Sequence, residues 1–483
     1  MHTASFYWYD YETFGIDPRN DRIAQFAGIR TDMDFNIIDD PIDIFCKASN
    51  DILPNPEACL ITGITPQKTL ATGLIEAEFI ATVHKEFSTP NTCVTGFNNI
   101  RFDDEFTRYS LYRNFFDPYS REWQNGCSRW DIIDLVRITR ALRPEGINWP
   151  LDEKGVATNR LELITQANNI SHEAAHDALS DVYATIAVAK LIKQKQPKLF
   201  DFVFQHKNKQ KIASLLNLSR PQAVLHTSGM YPGDICNTTM VYPLAQHPTN
   251  KNGIIVFDLR YNSADLIQLT ADEIIDRLYT PRDQLPEGVE RIPLKTIHIN
   301  KCPVVAPLST LDQASAERTQ INREQCQQHM QLLIDSHKVI KAKLHSVFSH
   351  NPFTAEVDPD RSLYSGGFFS PDDRQRMQQL QSMPPEKLRK ADFNFQDERI
   401  PEMLFRYRAR NYPDSLTAEE LSRWNEYRQQ RFSESSNDNA LTYASYNRLL
   451  DKLLENSELD KNKKQILVDL KEWGAQISDD LHL

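Results

Sequence analysis

The chain has 483 residues and a mass of 55.8 kDa, with 40% apolar and 25% charged residues. That is length for about two to four domains with sizeable cores, and a composition that excludes wholesale disorder and collagen-like or low-complexity classes. A formal net charge of −11 excludes a protein that coats nucleic acid with its whole surface but leaves room for one local groove.

Three further absences narrow the class. No apolar run reaches the ~18 residues of a membrane span, and MHTASFYWYDYE has no basic stretch followed by an apolar one, so it does not read as a secretory signal. Seven scattered cysteines with no CxxC argue against a disulfide framework and a cysteine zinc site. A cytoplasmic protein with reduced thiols and no membrane partner is the expectation.

In chain order, ASFYWY (4–9) reads as a buried strand ending at Asp10, and AQFAGIRTDM (24–33) as a second, with DFNIID (34–39) as its hairpin partner. Residues 75–88 show helical spacing. TCVTGFNN (92–99) reads as a strand running into a turn, and 102–116 as a helix. Helices are expected near 131–142 and 159–169, and a long one over 177–195. This alternation predicts an α/β domain over 1–196. Short strands punctuated by Pro, Gly and Asn predict a small, partly β domain over 197–348, in which 314–348 is helical. A turn-rich linker (349–372) and a polar helical domain (373–483) follow, the last ending in an antiparallel helical pair over 446–477.

Three acidic signals carry chemistry. Asp10 and Glu12 end the first strand and, two residues apart, share one of its faces. Two carboxylates so placed repel unless a cation sits between them. Asp103 and Asp104 open a helix after the turn GFNNIRF, and His176 and Asp181 lie at the start of the long helix. Each alone is more often structural, as a solvated turn or a dipole partner. Together they offer four acids and one histidine, a hard oxygen set that suits Mg²⁺ or Mn²⁺ and not zinc. Paired ions of that kind hydrolyse phosphodiesters.

The pattern DxE, NxxxFDD, HxxxxD resembles the three motifs of the DEDD exonucleases, histidine subclass. The blocks DYETFG (10–15), LITGITPQ (60–67), NNIRFDDE (98–105), AHDALSDVYATIA (175–187), INKCPV (299–304), LYSGGFFS (363–370) and FRYRARNYP (405–413) are similar to the exodeoxyribonuclease I family of bacteria within it. The resemblance implies a ribonuclease H-like exonuclease domain, an SH3-like β-containing domain and an all-helical C-terminal domain. It implies processive 3′→5′ degradation of single-stranded DNA to 5′-mononucleotides, in DNA repair and recombination. Asp10, Glu12, Asp103 and Asp181 match the family's ligands for two Mg²⁺ ions, with Mn²⁺ as substitute. His176 matches its general base, and Asp104 is left as a neighbour or helix cap.

Residues 101–143 hold eight Arg and no Lys, interleaved with aromatics. Phosphate forks beside stacking platforms are what a sequence-tolerant single-strand channel needs. By resemblance, Glu12, Arg108, Tyr119, Trp123, Arg137 and Arg160 fall at positions that contact the strand. Arg406, Arg408 and Arg410 form a second basic run, and Tyr364, Phe368 and Phe369 serve either as base-stacking aromatics or as a latch for the linker. The family also binds the acidic tail of single-stranded DNA-binding protein. Arg143 and Phe202 are the candidates here, although APLSTLDQ (306–313) is less basic than the family pattern. A monomer fits a chain that clamps its own substrate. A nuclease for RNA ends shares these carboxylates, and a non-catalytic clamp would leave them idle.

Overall fold

The computed structural model describes residues 3–172, 177–350, 355–389, 393–433 and 440–483. Contacts divide the chain into two interleaved units. One comprises Met1–Ser128, Glu173–Tyr183 and Ala355–Leu483, the other Arg129–His172 and Ala184–Thr354.

The first unit is built on a mixed sheet of order β3-β2-β1-β4-β5, with β1 Ser5–Thr13, β2 Ile23–Thr31, β3 Ile42–Phe45, β4 Thr92–Gly96 and β5 Ser128–Asp131. The division between units falls inside β5. β1 pairs antiparallel with β2 and parallel with β4. A parallel neighbour requires a crossover, here the helices Pro56–Thr62, Pro66–Thr72 and Glu76–Phe87. β1 and β2 are buried nearly throughout, as expected of strands covered on both faces. Tyr7, Tyr9 and Tyr11 pack with Phe26, Phe79 and Phe87 on one face. On the other, Trp8 donates to Thr31 Oγ1 at 2.8 Å.

Two sequence expectations are corrected. Residues 34–39 turn back on β2 but pair with it only at one antiparallel bridge, Thr31 with Ile37, and not as an extended strand. Asp32 Oδ1 accepts from the N–H groups of Asp34 and Asn36, and Phe35 adopts φ +67°, so local side-chain bonding shapes a tight turn and limits the pairing to that bridge. β3, at 42–45, takes the place beside β2. The expected continuous helix at 314–348 is three helices, Gln313–Arg318, Arg323–Asp335 and His337–Ser349, the first break marked by Gln320 at φ +55°.

The C-terminal helices share a core with residues that follow β1 and β3. Phe14, Ile52, Leu53 and Ile64 pack with Phe432, Tyr446, Leu467, Leu470, Trp473 and Ile477. The last two helices, Tyr443–Leu454 and Lys461–Leu481, form the expected pair, with Tyr446 Oη donating to the Leu470 carbonyl at 2.7 Å.

Buried charge joins the same elements. Asp51 has no exposed surface and faces Arg22 at 3.2 Å and Arg410 at 3.0 Å. Arg113 pairs with Glu76 at 2.9 Å, and Arg408 with Glu420 at 2.7 Å. Arg406 reaches Asp358 at 2.8 Å. The run Arg406, Arg408, Arg410, read in the sequence as a second basic run, is an internal set of counter-ions with buried side chains.

In the second unit all five strands are antiparallel, in the order β10-β6-β7-β8-β9. They are β6 Val224–Thr227, β7 Thr238–Gln246, β8 Gly253–Asp258, β9 Leu294–His298 and β10 Val304–Pro307. Val224, Val241, Val256, Ile297 and Val305 form the core with Ile212 and Leu216.

Burial alone would push the Asp51 carboxyl up, but Arg22, Arg410 and Arg431 outweigh it and hold it well below the usual carboxylate range. A lowered folded-state value means stability present at neutral pH and lost as pH falls through the acid range. Asp51→Asn should lower the unfolding free energy at pH 7 by about 3–5 kcal/mol, because it strands buried guanidinium charge. Urea midpoints for the two proteins at pH 7 check this; equal midpoints refute it.

Candidate active site

The site starts at the end of β1. Tyr9 and Tyr11 face the aromatic core, so the pleat puts Asp10 and Glu12 on the opposite side. The register against β2 shifts between Glu12 and Thr13, a bulge of the sort that re-aims a strand end. Asp181, in the first turn of the helix Ala178–Lys195, meets them there. One carboxylate oxygen from each of Asp10, Glu12 and Asp181 lies within 4.8 Å of the others.

Asp103 comes from β4. The turn after this strand crosses close behind β1, and Gly96 permits the approach. A Cβ there would stand 2.6 Å from the Tyr9 carbonyl oxygen and 3.1 Å from the Asn99 side chain. The helix Asp103–Arg113 follows at once, with the Asp104 N–H donating to the Asn99 carbonyl at 2.8 Å.

Asp103 and Asp104 are neighbours with different fates. Asp104 is fully buried, and its Oδ1 accepts from Arg121 at 2.7 Å and from Tyr9 Oη at 3.0 Å. It is thus the neutralised neighbour. At Asp10, after burial, the charge of Asp103 is the largest influence raising the carboxyl.

The electrostatics are those of a site built for positive charge. Burial, then Asp103, Asp181 and Asp177, push Asp10 well above the carboxylate range. Burial, then Asp10, Asp181 and Asp177, push Glu12 up to about 9. An isolated cluster of this kind would take up protons at neutral pH; a divalent cation removes the need. The donors are oxygens throughout, and they fit a hard divalent ion. The sequence reading missed Asp177. It caps the helix, accepting from Ser180 N–H at 3.1 Å, while adding negative charge to the site. Its spacing one turn before Asp181 was the available signal. His176 lies outside the described residues.

The remaining sequence candidates divide by surroundings. In the first unit, Trp123 is 66% exposed. It lines a cleft of about 670 Å³ with Phe116, Tyr119, Phe368, Arg374 and Gln378. Arg108 is almost fully buried and pairs with Glu105 at 2.9 Å and Glu122 at 2.8 Å, its guanidinium 5.3 Å from the Tyr119 ring. Arg113 and Arg121 are internal ion pairs, so this part of the arginine-rich stretch serves the fold. In the second unit, Arg137 pairs with Asp134 at 2.6 Å and lies against Gly229, and Arg140 donates to the carbonyls of Thr158 and Pro150. Arg160 is exposed, at the start of the helix Leu161–Ala167.

Arg143 is partly exposed. It reaches Asp312 at 3.2 Å and the Thr310 carbonyl at 3.1 Å. Flanking those two residues, Leu308 and Leu311 line an apolar cup of about 200 Å³ with Met240, Cys326, Met330 and Arg323. Phe202 stacks on His206, with ring centres 4.0 Å apart.

Comparison with known proteins agrees along the chain. A family described as exonuclease matches residues 7–189, the exonuclease I SH3-like domain matches 207–350, and the exonuclease I C-terminal domain matches 357–477. The chain is 48% identical to exodeoxyribonuclease I of Haemophilus influenzae and 44% identical to that of Escherichia coli. Each alignment covers 98% of both chains. Among solved structures, exonuclease I from Methylocaldum szegediense superposes with a TM-score of 0.93 at 49% identity, over 98% of this chain and 99% of that one. Escherichia coli exonuclease I in complex with a dA16 oligonucleotide gives 0.94 at 44%, over 98% and 100%.

Without metal, the raised Glu12 value makes folding take up a proton, so this group's contribution to stability falls as pH rises from about 4.5 to about 9. In chelator, the melting temperature should therefore fall between pH 5 and pH 8, and saturating Mg²⁺ should remove most of that fall. Asp10→Asn should raise the melting temperature in chelator and shrink its rise on adding Mg²⁺. Thermal scans at the two pH values check both, and a metal-free variant less stable than the parent contradicts the account of a strained cluster.

Proposed function

The chain belongs to the exodeoxyribonuclease I family, and we propose that it degrades single-stranded DNA processively from the 3′ end, releasing 5′-mononucleotides. The observation that carries this is the meeting of Asp10, Glu12 and Asp181 within 4.8 Å, with the Asp103 charge acting on Asp10. We assign these four carboxylates the task of holding two Mg²⁺ ions, with Mn²⁺ as substitute.

Bound there, divalent cations supply charge neutralisation at the scissile phosphate and the leaving 3′-oxygen and make the attacking water more acidic. The chain's own residues do the rest. Asp10 and Glu12 fix the cluster on a rigid sheet. Asp103 and Asp181 close it from two helix starts. His176 takes the proton from the attacking water as the new P–O bond forms and the bond to the 3′-oxygen breaks. Its ordinary pKa near 6.5 suits it to that work at neutral pH.

The exposed aromatics of the 670 Å³ cleft provide stacking surfaces that tolerate any base, and Glu12, Arg108, Arg137 and Arg160 complete the substrate set. Relatives crystallised with dA16 and dT13 oligonucleotides support a single-stranded DNA substrate. A cytoplasmic monomer acting in repair and recombination fits these features, and no described helix is long and apolar enough to cross a membrane.

Incubating 5′-labelled single-stranded DNA with Mg²⁺, beside its 3′-blocked form, its duplex and its RNA counterpart, tests the reading. Shortening of the free DNA strand alone is expected; preference for RNA would overturn the substrate, and strand binding without cleavage would leave only a clamp. His176→Ala should keep strand binding and lower kcat by about 10²–10⁴-fold; near-normal turnover removes it as the base.

For the acidic tail of single-stranded DNA-binding protein, we propose a docking site at Arg143 and the cup beside it, with Phe202 as the second candidate residue. A guanidinium for a terminal carboxylate beside an apolar cup for a side chain is the chemistry such a tail needs. Arg143→Ala should weaken a tail peptide measurably in a fluorescence titration, and Asp312→Asn should strengthen it by removing the competing carboxylate. Equal affinities for all three proteins would remove Arg143 from the site.

A further inference from the structure

Residues 355–370 form a strap with neither helix nor strand, yet much of it is firmly held. Its first half is internal. Asp360, Arg361, Ser362 and Leu363 are all buried. Asp358 lies 2.8 Å from Arg406, and Asp360 lies 3.3 Å from Arg406 and also contacts Arg410. The Ser362 hydroxyl closes the turn by donating to the Asp358 carbonyl at 2.6 Å. The second half is presented outward. Tyr364 Oη accepts from Arg108 at 3.0 Å and donates to Glu105. Phe369 stacks on Tyr112 with ring centres 5.7 Å apart, under the Arg399 guanidinium at 4.6 Å. Between them Phe368 is 84% exposed and stands edge-on to Tyr119 at 6.0 Å, in the wall of the aromatic cleft.

The two alternatives left open by the sequence therefore fall to different residues. Tyr364 and Phe369 latch the strap, and Phe368 is held out. The turn that holds it there is built on two glycines, Gly367 at φ +73° and Gly366, where a Cβ would collide with Arg399, so the turn is pinned by contacts and not by its own backbone: Arg399 donates to the Ser362 carbonyl at 3.2 Å and to the Gly367 carbonyl at 3.3 Å. The chain entering this turn is itself held by the buried acids on Arg406 and Arg410.

We propose that Asp358 and Asp360 are positioning residues for substrate: their ion pairs with Arg406 and Arg410 anchor the strap so that Phe368 and Tyr119 together hold a base of the strand. This rests on the reading that the aromatic cleft takes single-stranded DNA. The acids act through Phe368 and do not touch the strand. Their loss should weaken long strands selectively while sparing hydrolysis at the carboxylates.

The test measures affinity for labelled oligodeoxythymidines from dinucleotide to dodecamer, with Ca²⁺ in place of Mg²⁺, for the parent, Asp360→Asn, Asp360→Glu and Phe368→Ala. Asp360→Asn should match the parent on the shortest strands. It should then weaken about tenfold beyond the same length at which Phe368→Ala does, the loss expected for one stacked base. Asp360→Glu should recover part of that loss. Hydrogen exchange over 362–369 should rise in Asp360→Asn, and Mg²⁺-dependent turnover of the dinucleotide should stay within about twofold of the parent. If circular dichroism shows Asp360→Asn unfolded, Asp358→Asn is read in its place with the same expectations. Weakening by Phe368→Ala with no change in the aspartate variants overturns the proposal and leaves the cleft reading intact. No effect of Phe368→Ala at any length overturns the cleft reading.

Discussion

Carboxylates repel, and the end of β1 gathers them where little water remains to relieve the repulsion. Asp10, Glu12 and Asp181 bring oxygens within 4.8 Å of one another, and Asp103 and Asp177 add to the field. Such a cluster is tolerable only with protons or a cation, and a chain that maintains it gives up stability to do so. Much of the first unit holds this arrangement in place. The buried aromatic face of β1 fixes the strand, Gly96 lets the turn before Asp103 pass close behind it, and two helix starts supply the remaining acids.

The same unit carries a second set of acids with the opposite treatment. Asp51, Glu76, Asp104 and Asp360 are buried more fully than the half-buried Asp10 and Asp181, and each faces at least one guanidinium. Asp103 and Asp104 show the contrast within two consecutive residues: Asp104 is held by Arg121 and Tyr9, while the charge of Asp103 acts on Asp10. Arginine suits the structural role because it stays charged when buried and presents a rigid fork of donors. The two sets differ in partner: guanidinium forks hold the structural acids, whereas Asp10, Glu12 and Asp181 bring their oxygens against one another, and that is where chemistry with a cation belongs.

What the sequence made legible follows from which signals are local. The DxE at a strand end, the helix opening at Asp103 and the long helix at Asp181 depend on short-range pattern, and all three stand where expected. The hairpin expected at 34–39 shrinks to one bridge because Asp32 offers the backbone a competing turn, a contest that hydrophobic pattern does not register. The arginines were harder. Arg406, Arg408 and Arg410 look like phosphate ligands in one dimension, and only the fold shows that acids distant in sequence neutralise them, Asp51 being 359 residues from Arg410. Asp177 was visible as a residue, but its influence on Asp10 depends on packing between a strand and a helix start far apart in the chain.

The central claim is that the crowded acids at the end of β1 exist to hold divalent cations. Titrating Mn²⁺ into the chelator-treated protein by calorimetry, for the parent and for Asp10→Asn at the same pH, tests it most directly. The account expects saturable binding to the parent that is lost or severely weakened in Asp10→Asn, with single-stranded DNA still bound by both. Undiminished Mn²⁺ binding in Asp10→Asn, or none in the parent, would contradict it.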